Sequence, residues 1–294
     1  MTTQNLSKHR CKFPKYSGVS FKPQYFDTLI ELKPPLGFVE IHAENYLSAG
    51  GPLRHYLQRI REDYPITVHG VGLSIGGTEP LNKEHLDRVA SLVEHIEPVV
   101  FSEHLAWSSH GNAFLNDLLP IPYTKAHLER TCRHIHQIQE RLGDTLLMEN
   151  PSTYITFAQQ DYTETEFIRE MVRRTGCELL LDVNNIAVSC FNHQQDPEAY
   201  LADFPLQFVS QIHLAGYHLD TQEALTLRID SHGSPVQTDV WQLYQKTLSL
   251  TGDIGTLIEW DSQLPPFKEL LSQACLADKY RQVHQKEQQH ALSF

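Results

Sequence analysis

Short apolar, β-branched runs recur along the chain, and each one ends in a cluster of polar residues. Runs of this length are typical of strands that are buried on both faces. There are eight of them, at residues 17–21, 37–45, 66–74, 99–108, 145–152, 178–189, 208–217 and 255–261.

Segments with helical spacing lie between these runs. The clearest predicted helices cover residues 82–96, 124–142, 163–175 and 238–251. The first two have apolar residues every three or four positions, and Asn82 and Thr124 stand where a capping side chain is expected. Eight alternations of strand and helix predict an α/β fold, a single-domain (β/α)8 TIM barrel whose working groups lie at the carboxyl ends of the strands.

An open, doubly wound sheet is the alternative fold. No glycine-rich dinucleotide or phosphate loop follows any early strand, which disfavours it. The length of 294 residues suits one large barrel or two small domains, and no linker or repeat divides the chain. The predicted connections at residues 151–162 and 217–237 are the longest, and loops of that length after barrel strands are often lids or binding loops.

Charge and cysteine usage narrow the class of protein. The formal net charge of −12 disfavours nucleic acid as a partner, because such binding relies on basic groups that neutralise phosphates. The five cysteines are odd in number and form no C-x-x-C pair, so we expect reduced, buried thiols rather than disulfides or a thiolate zinc site. No apolar stretch is long enough for a signal peptide or a membrane span, and we therefore expect a cytoplasmic protein with no membrane partner.

Polar residues at the carboxyl ends of the predicted strands form a candidate metal site. A single His or acid there is more often structural, but the whole set converges on one barrel mouth. Four carboxylates in one dry pocket would raise each other's pKa unless cations kept them ionised. The set is His69, His104, Glu149, Asp182, Asn185, His213, Asp230, His232 and Glu259.

These residue types restrict the metal. Imidazole and carboxylate without thiolate suit iron, manganese or zinc. Nine candidate ligands exceed what one ion takes, so two or three ions that share bridging carboxylates are expected. Asp230 and His232 would point the same way if their segment is extended.

Further polar and aromatic residues adjoin this set. They are expected either to orient the ligands or to make ordinary structural hydrogen bonds. Glu40, His42 and Glu44 share one face of the second predicted strand, and Glu103, Asn150, Asn184 and Asp261 are next to proposed ligands. Four aromatic residues near the same rim could line a substrate cleft, although packing is the more common role: Trp107, Tyr154, Tyr217 and Trp260.

Nine segments of the chain resemble those of a known family. The segments VEIHAENYLSAGGP, HGVGLSIGG, SEHLAWS, NDLLPIPYT, LMENPSTY, LLLDVNNIAVS, IHLAGY, DSHG and LIEWD, in this order, are similar to those of the multinuclear non-haem iron-dependent oxidative enzymes. The resemblance runs from about residue 16 to 275, which predicts a catalytic domain there, an N-terminal extension at 1–15 and a polar C-terminal tail at 276–294.

The resemblance implies a xylose-isomerase-like TIM barrel and a specific chemistry. Members of the family use two or three iron ions, in mixed Fe2+/Fe3+ valence, with O2 as co-substrate to oxidise Cys residues of ribosomally made precursor peptides, as in methanobactin formation. Many act with a small partner protein that recognises the leader of the peptide. The metal cluster, rather than a side chain, would perform the oxidation, and zinc or manganese are alternative occupants.

By the same resemblance, all nine residues of the candidate site match metal-ligand positions. Asn185 is where the chain departs from the related trinuclear zinc endonucleases, which have a His at that position. An amide oxygen is a weaker ligand than imidazole, so the ion that Asn185 would share with Asp230 and His232 should be the most labile.

Three other functions remain open from the sequence. The first is metal-dependent hydrolysis of a phosphoester, as in the endonuclease relatives, and the second is sugar isomerisation on the same barrel. The third is a non-catalytic scaffold that binds metal or a partner.

Overall fold

Eight parallel strands close into one barrel, which confirms the predicted (β/α)8 fold. The computed structural model describes residues 9, 12–48, 50–111, 113–221 and 225–291. The first strand pairs with both the second and the last, so the alternative of an open sheet is wrong. In chain order the barrel strands are β1 (Gly18–Ser20), β2 (Val39–His42), β3 (Ile66–Gly70), β4 (Phe101–His104), β7 (Leu147–Glu149), β8 (Glu178–Asp182), β9 (Val209–Leu214) and β12 (Gly255–Ile258).

Helices follow the strands and surround the barrel. The four helices that the sequence predicts are present, and Asn82, Thr124 and Thr163 cap three of them by accepting a backbone N–H with their side chains. Short 3-10 helices cover Pro23–Tyr25, Ala43–Tyr46 and Leu206–Phe208. The α-helices are α1 (Phe26–Leu32), α2 (Pro52–Arg61), α3 (Lys83–Ile96), α4 (Lys125–Leu142), α5 (Glu164–Thr175), α6 (Val183–Asn192), α7 (Pro197–Asp203), α8 (Thr238–Thr251) and α9 (Phe267–Ala291).

The sixth apolar run contains a strand and a helix, not one long strand. Strand β8 ends at Asp182, whose side chain accepts a hydrogen bond from the backbone N–H of Asn185 and so begins α6. The prediction that residues 178–189 form a single strand was therefore wrong. Residues 183–190 are all buried, and a helix that is buried on every side lacks the clear apolar periodicity that would distinguish it from a buried strand.

Two antiparallel hairpins project from the carboxyl end of the barrel. Strand β5 (Trp107–His110) pairs with β6 (Ala113–Leu119), and β10 (His218–Asp220) pairs with β11 (Leu227–Ile229). The first hairpin lies in the connection 105–124, which the sequence did not identify as a long one. Part of it was assigned to the fourth barrel strand, although β4 ends at His104.

Both ends of the described chain pack against the barrel. The buried His9 hydrogen-bonds Glu178 at the start of β8, through its Nδ1 at 2.9 Å from Oε2. Helix α9 crosses the predicted boundary between residues 275 and 276, and Ala277 and Arg281 beyond it are buried. The division into extension, barrel and tail stays a prediction, and residues 1–8, 10, 11 and 292–294 lie outside the described part.

The cysteines agree with the expectation of reduced thiols where they are described. Cys132, Cys177 and Cys190 are free and buried, and Cys275 is free and half-buried. Cys11 lies outside the described residues. Within the described chain, none of the helices combines the length and the apolar character that a membrane span requires.

Candidate metal centre

The barrel register places the predicted ligands beside one another. Because all eight strands are parallel, their carboxyl ends meet at one mouth. Neighbouring strands also bring specific residues level with each other across the hydrogen-bond ladder. The level pairs are His42 with His69, His104 with Glu149, and Asp182 with His213.

A first group joins two histidines and one acid. The Nε2 atoms of His69 and His104 lie 3.3 Å apart, and Oε2 of Glu149 lies 3.2 Å from the first and 3.3 Å from the second. Ligands bonded to a tetrahedral ion at about 2.0–2.1 Å are separated by about 3.3–3.4 Å, so these three atoms have the spacing of a metal-binding face. Nδ1 of His69 contacts Ser102 Oγ at 2.8 Å, and Nδ1 of His104 contacts the Gly70 carbonyl oxygen at 3.1 Å. These outer contacts orient both Nε2 atoms inward.

A second group adds Asp182 and His213 to Glu149. One ligand atom from each of the three lies within 4.8 Å of the others. Burial raises the pKa of Asp182 well above its usual range, and the charges of Glu149 and Asp230 add to that rise. A cation between these carboxylates would remove both the repulsion and the desolvation cost.

His213 lies between two carboxylates. Its Nδ1 is 3.1 Å from Glu259 Oε2, and its Nε2 is 3.1 Å from Glu40 Oε1. Burial alone would lower the pKa of His213, but the charges and hydrogen bonds of Glu40 and Glu259 raise it well above the usual value. Without metal, protons on this ring therefore supply the positive charge that the surrounding acids require.

A third group contains Asp182, His232 and Glu259. His232 Nε2 also lies 2.7 Å from Asp230 Oδ1, as the DSH motif suggested. The reason given from the sequence was wrong, because the segment is not a regular extended strand: His232 has a left-handed φ of 45°. A non-glycine residue held in that conformation is strained, and such strain is concentrated at functional sites.

A fourth group lies at the edge of the others. His42 Nε2 is 3.5 Å from Glu259 Oε1 and 3.3 Å from Asp261 Oδ2, while Lys22 Nζ is 2.6 Å from Asp261 Oδ1. The sequence placed His42 and Asp261 only beside the site. The sequence did contain evidence for both residues, because His42 ends a strand and Asp261 follows Glu259 by two residues.

Asn185 lies on the first turn of α6. Its Nδ2 donates to Glu149 Oε1 at 3.3 Å and to the Asn150 carbonyl oxygen at 3.0 Å. Its Oδ1 is buried and has no hydrogen-bond partner among the described residues. Asn184, rather than Asn185, contacts Asp230, by a 2.7 Å hydrogen bond from Nδ2 to Oδ1. The ligand role of Asn185 remains a prediction.

Gln211 is a residue of this site that the sequence analysis missed. Its Nε2 lies 2.7 Å from Glu40 Oε2 and 3.1 Å from His213 Nε2. It stands two positions before His213 on β9, and residues at that spacing share one face of a strand. The alternation of side chains along a strand could therefore have identified Gln211 from the sequence. Glu44, which the sequence placed on the same face as Glu40, instead lies in a 3-10 helix and contacts His85 at 3.1 Å.

Arg228 fixes the second hairpin against α6. Its guanidinium carbon lies 4.4 Å from the ring centre of Phe191 and 4.3 Å from that of Tyr217. Its Nη1 is 3.1 Å from the Ala187 carbonyl oxygen and 2.7 Å from Asp239 Oδ2. Asp230 and His232 follow Arg228 by two and four residues, so these contacts help to hold the segment that carries them in position.

Three independent features of the four groups agree with the binding of metal ions. Glu149, Asp182 and Glu259 each belong to two groups, as bridging carboxylates would. The donors are imidazole and carboxylate, which suit iron, manganese or zinc. Buried oxygens that lack a hydrogen-bond partner within the described chain cluster here, including Asp182 Oδ2, Asn184 Oδ1, Asn185 Oδ1 and Gln211 Oε1.

A pocket of about 280 Å³, the metal pocket, opens above these groups. Asp117 and Leu118 of the first hairpin and Tyr154 of the connection 151–162 form its outer wall. Tyr154 also accepts a 2.9 Å hydrogen bond from the Asp230 backbone N–H. Of the four rim aromatics considered from the sequence, Tyr154 lines the pocket, whereas Trp107 and Trp260 pack against the core.

Sequence comparisons identify a family over most of the chain. The profile of the RiPP precursor modification enzymes MbnB/TglH/ChrH matches residues 16–282. A UPF0276 protein of Rhizobium meliloti is 49% identical over 271 residues, covering 91% of this chain and 87% of that protein. A UPF0276 protein of Paraburkholderia phytofirmans is 51% identical over 262 residues, covering 88% and 85%.

Solved structures show the same barrel at low identity. L-ribulose 3-epimerase superposes with a TM-score of 0.58 at 12% identity, covering 94% of this chain and 97% of that one. Endonuclease IV from Thermus thermophilus gives 0.58 at 14%, covering 92% and 99%. A xylose isomerase-like TIM barrel protein from Mycobacterium smegmatis, solved with magnesium, gives 0.55 at 13%, covering 92% and 96%. These likenesses establish a xylose-isomerase-like TIM barrel.

Proposed function

The chain belongs to the family of RiPP precursor modification enzymes MbnB/TglH/ChrH, which act on ribosomally made peptides, and from that premise we propose that it is an iron- and O2-dependent oxidoreductase acting on a Cys residue of a precursor peptide. The observation that supports this most is the set of four overlapping ligand groups at one barrel mouth. Shared carboxylates are what a cluster of two or three ions requires. A single ion would need only one of the groups.

Each proposed ion has a set of residues, and neighbouring ions share a carboxylate. His69, His104 and Glu149 would hold the first, and Asp182 and His213 would share the second with Glu149. His232 and Glu259 would hold the third with Asp230, and His42 and Asp261 lie beside it. When bound, iron supplies the redox chemistry, with the peptide Cys as the group oxidised and O2 as the electron acceptor.

The contribution of the chain is to hold and orient these ligands. The Gly70 carbonyl oxygen accepts a hydrogen bond from Nδ1–H of His104, which leaves Nε2 without a proton and available to a metal. The ring of His213 is oriented through its Nε2, which lies 3.1 Å from Glu40 Oε1, and Gln211 Nε2 holds that carboxylate by donating to its Oε2 at 2.7 Å. No protein side chain is assigned as the oxidant, so the catalytic residues are the ligands themselves.

The size of the metal pocket limits how much of the peptide can enter it. The metal pocket has room for one side chain and a small co-substrate, but not for a whole peptide. Most of the precursor would therefore lie outside the barrel, which supports the proposal of a small partner protein that recognises the leader.

The proposal is tested by metal analysis and oxygen consumption on protein purified without air. We expect two or three irons per chain, a Mössbauer spectrum of mixed valence, and O2 uptake with a Cys-bearing precursor peptide, which is sought among the small open reading frames beside this gene. Asp182→Ala and His213→Ala should abolish iron loading and activity. His95→Ala, an exposed histidine on α3 away from the site, is the matched control and should change neither.

Two results would contradict the proposal. One is full iron loading and activity in Asp182→Ala or His213→Ala. The other is hydrolysis of a phosphoester by zinc-loaded protein without any peptide oxidation, which would favour the hydrolase alternative.

A further inference from the structure

A second and larger cavity lies beside the metal pocket. Its volume is about 810 Å³, within the range of pockets that bind small molecules. It is bounded by the connection 151–162, the first turn of α5, the end of α6, and α7. We refer to it as the side cavity, and none of the proposed metal ligands lines it.

The metal pocket and the side cavity share a wall one chain thick. Ser152 and Tyr154 line the metal pocket, whereas Thr153 and Ile155 line the side cavity. This alternation is what an extended segment produces, because successive side chains point to opposite faces. The end of β6 and the residues after it continue the same wall, with residues 117 and 118 lining the metal pocket and residues 120 and 121 lining the side cavity. A ligand that crosses this wall would enter both spaces.

The side cavity is lined by acidic side chains. Neither Lys nor Arg is found among the described residues that line it. One of the acids, Asp203, forms an ion pair with Arg169 outside the cavity, and two others cap helices. The lining carboxylates are Asp161, Glu164, Glu166, Asp196 and Asp203.

Glu164 has the most specific surroundings. Tyr123 donates a hydrogen bond to its Oε2 at 2.6 Å, and Tyr200 donates one to its Oε1 at 2.5 Å. Both tyrosines line the side cavity, and in the described part of the chain Glu164 has no cationic partner. Burial raises the pKa of Glu164, although the two tyrosine bonds oppose the rise, so a bound cation would stabilise its ionised form. A carboxylate flanked by aromatic rings is a common receptor for ammonium and guanidinium groups.

We propose that the side cavity binds a Lys or Arg side chain of the precursor peptide, close in sequence to the Cys that is modified at the metal centre. The inference rests on the proposed function, because that function supplies a peptide as the substrate. The metal pocket and the side cavity, on opposite sides of one polypeptide segment, are about 10 Å apart, and an extended peptide advances about 3.3 Å per residue. The basic residue would therefore stand roughly three positions from the Cys.

The test is a binding measurement with synthetic peptides and the full chain. The probes are fluorescein-labelled eleven-residue peptides of Gly, Ser and Ala with a central Cys, in which one Lys is moved through the other ten positions. A matching series carries Gln instead of Lys. Anisotropy is recorded with metal-loaded protein and with protein treated with EDTA.

We expect the affinity of the Lys series to be highest at one or two adjacent positions. The variant Glu164→Gln/Glu166→Gln should weaken binding of the best Lys peptide about tenfold and leave the Gln peptide unchanged. Glu166→Gln keeps the capping box of α5, since Gln serves at that position as well as Glu. The control Glu129→Gln/Glu140→Gln removes two exposed charges from α4 outside the side cavity and should bind like the wild type.

Some outcomes would overturn the inference. They are the absence of binding by every peptide, equal affinity at all Lys positions, and equal losses in the cavity and control variants. Should Glu164→Gln destabilise the protein in a thermal melt, Glu166→Gln alone is compared with Glu129→Gln. Position-dependent Lys binding, together with no oxidation of the peptide by iron-loaded protein in the presence of O2, would refute the proposed reaction but not the side cavity. Oxidation that does not depend on a Lys or Arg would do the reverse.

Discussion

Replacing Asp182 by Asn should stabilise the metal-free protein and weaken its response to metal. Asp182 is fully buried, and its Oδ1 caps α6 by accepting the Asn185 N–H at 2.6 Å. Its Oδ2 has no hydrogen-bond partner among the described residues. Asn has the same shape and is an equally good N-cap, so the change removes the charge and keeps the helix start.

The magnitude follows from the surroundings of this carboxylate. Its pKa is raised by burial and by Glu149 and Asp230, and an acid with a raised folded-state pKa destabilises the fold at any pH above its unfolded value of about 3.9. Removal of this buried, unpaired charge is worth about 1–3 kcal/mol, less about 0.3–1 kcal/mol for the lost attraction to the helix N-terminus. The metal-free variant should be more stable at pH 7, with a melting temperature roughly 2–5 °C higher.

Metal should reverse the order. An ion at 100 times its Kd stabilises a protein by about 2.7 kcal/mol, and the variant would lose most of this because a neutral amide replaces a shared carboxylate. Differential scanning calorimetry with EDTA and with excess Fe2+ or Zn2+ measures both effects, and elemental analysis counts the ions.

Asp196→Asn is the matched control. Asp196 also caps a helix, accepting the Glu198 N–H at 2.9 Å, but it is exposed and lies outside the metal centre. Its variant should lose about 0.5 kcal/mol with or without metal. The reasoning is refuted if metal-free Asp182→Asn is no more stable than the wild type, or if metal raises both melting temperatures equally.

Three further outcomes are expected. Asn185→Ala should lower the metal content by about one ion per chain while the ions on the remaining ligands stay, and elemental analysis showing full loading would exclude Asn185 as a ligand. Arg228→Met should lower the free energy of unfolding in urea by about 1–3 kcal/mol, since it removes a guanidinium stacked between two rings, and Arg228→Lys should not restore it. Burial alone would lower the pKa of His69, but Glu149 and Glu40 raise it to about 9, so in EDTA-treated protein the stability due to this charge is complete below about pH 6.5 and is lost as the pH rises through about 9. Urea titrations from pH 6 to 10 should show that decline without metal, and a flat profile would contradict it.

Much of the fold could be derived from the sequence because strand burial is a local property of the chain. Eight apolar runs gave eight barrel strands, and residues at their polar ends, such as His69 and Glu149, could be assigned to one mouth because parallel strands all end on the same side. The helix boundaries followed from capping residues such as Asn82. In these cases the determining interactions lie within a few residues of each other.

The tertiary structure decided what depends on distance between segments remote in sequence. The contact of Asn184, rather than Asn185, with Asp230 has no local signal, because the two segments are 46 residues apart and meet only when α6 packs against the loop after β11. The side cavity shows the same limit, because Glu164, Tyr123 and Tyr200 come together only when three separate segments pack. Local patterns determined which residues point toward the mouth, and packing decided which of their atoms meet, because a few ångströms separate a metal ligand from its neighbour.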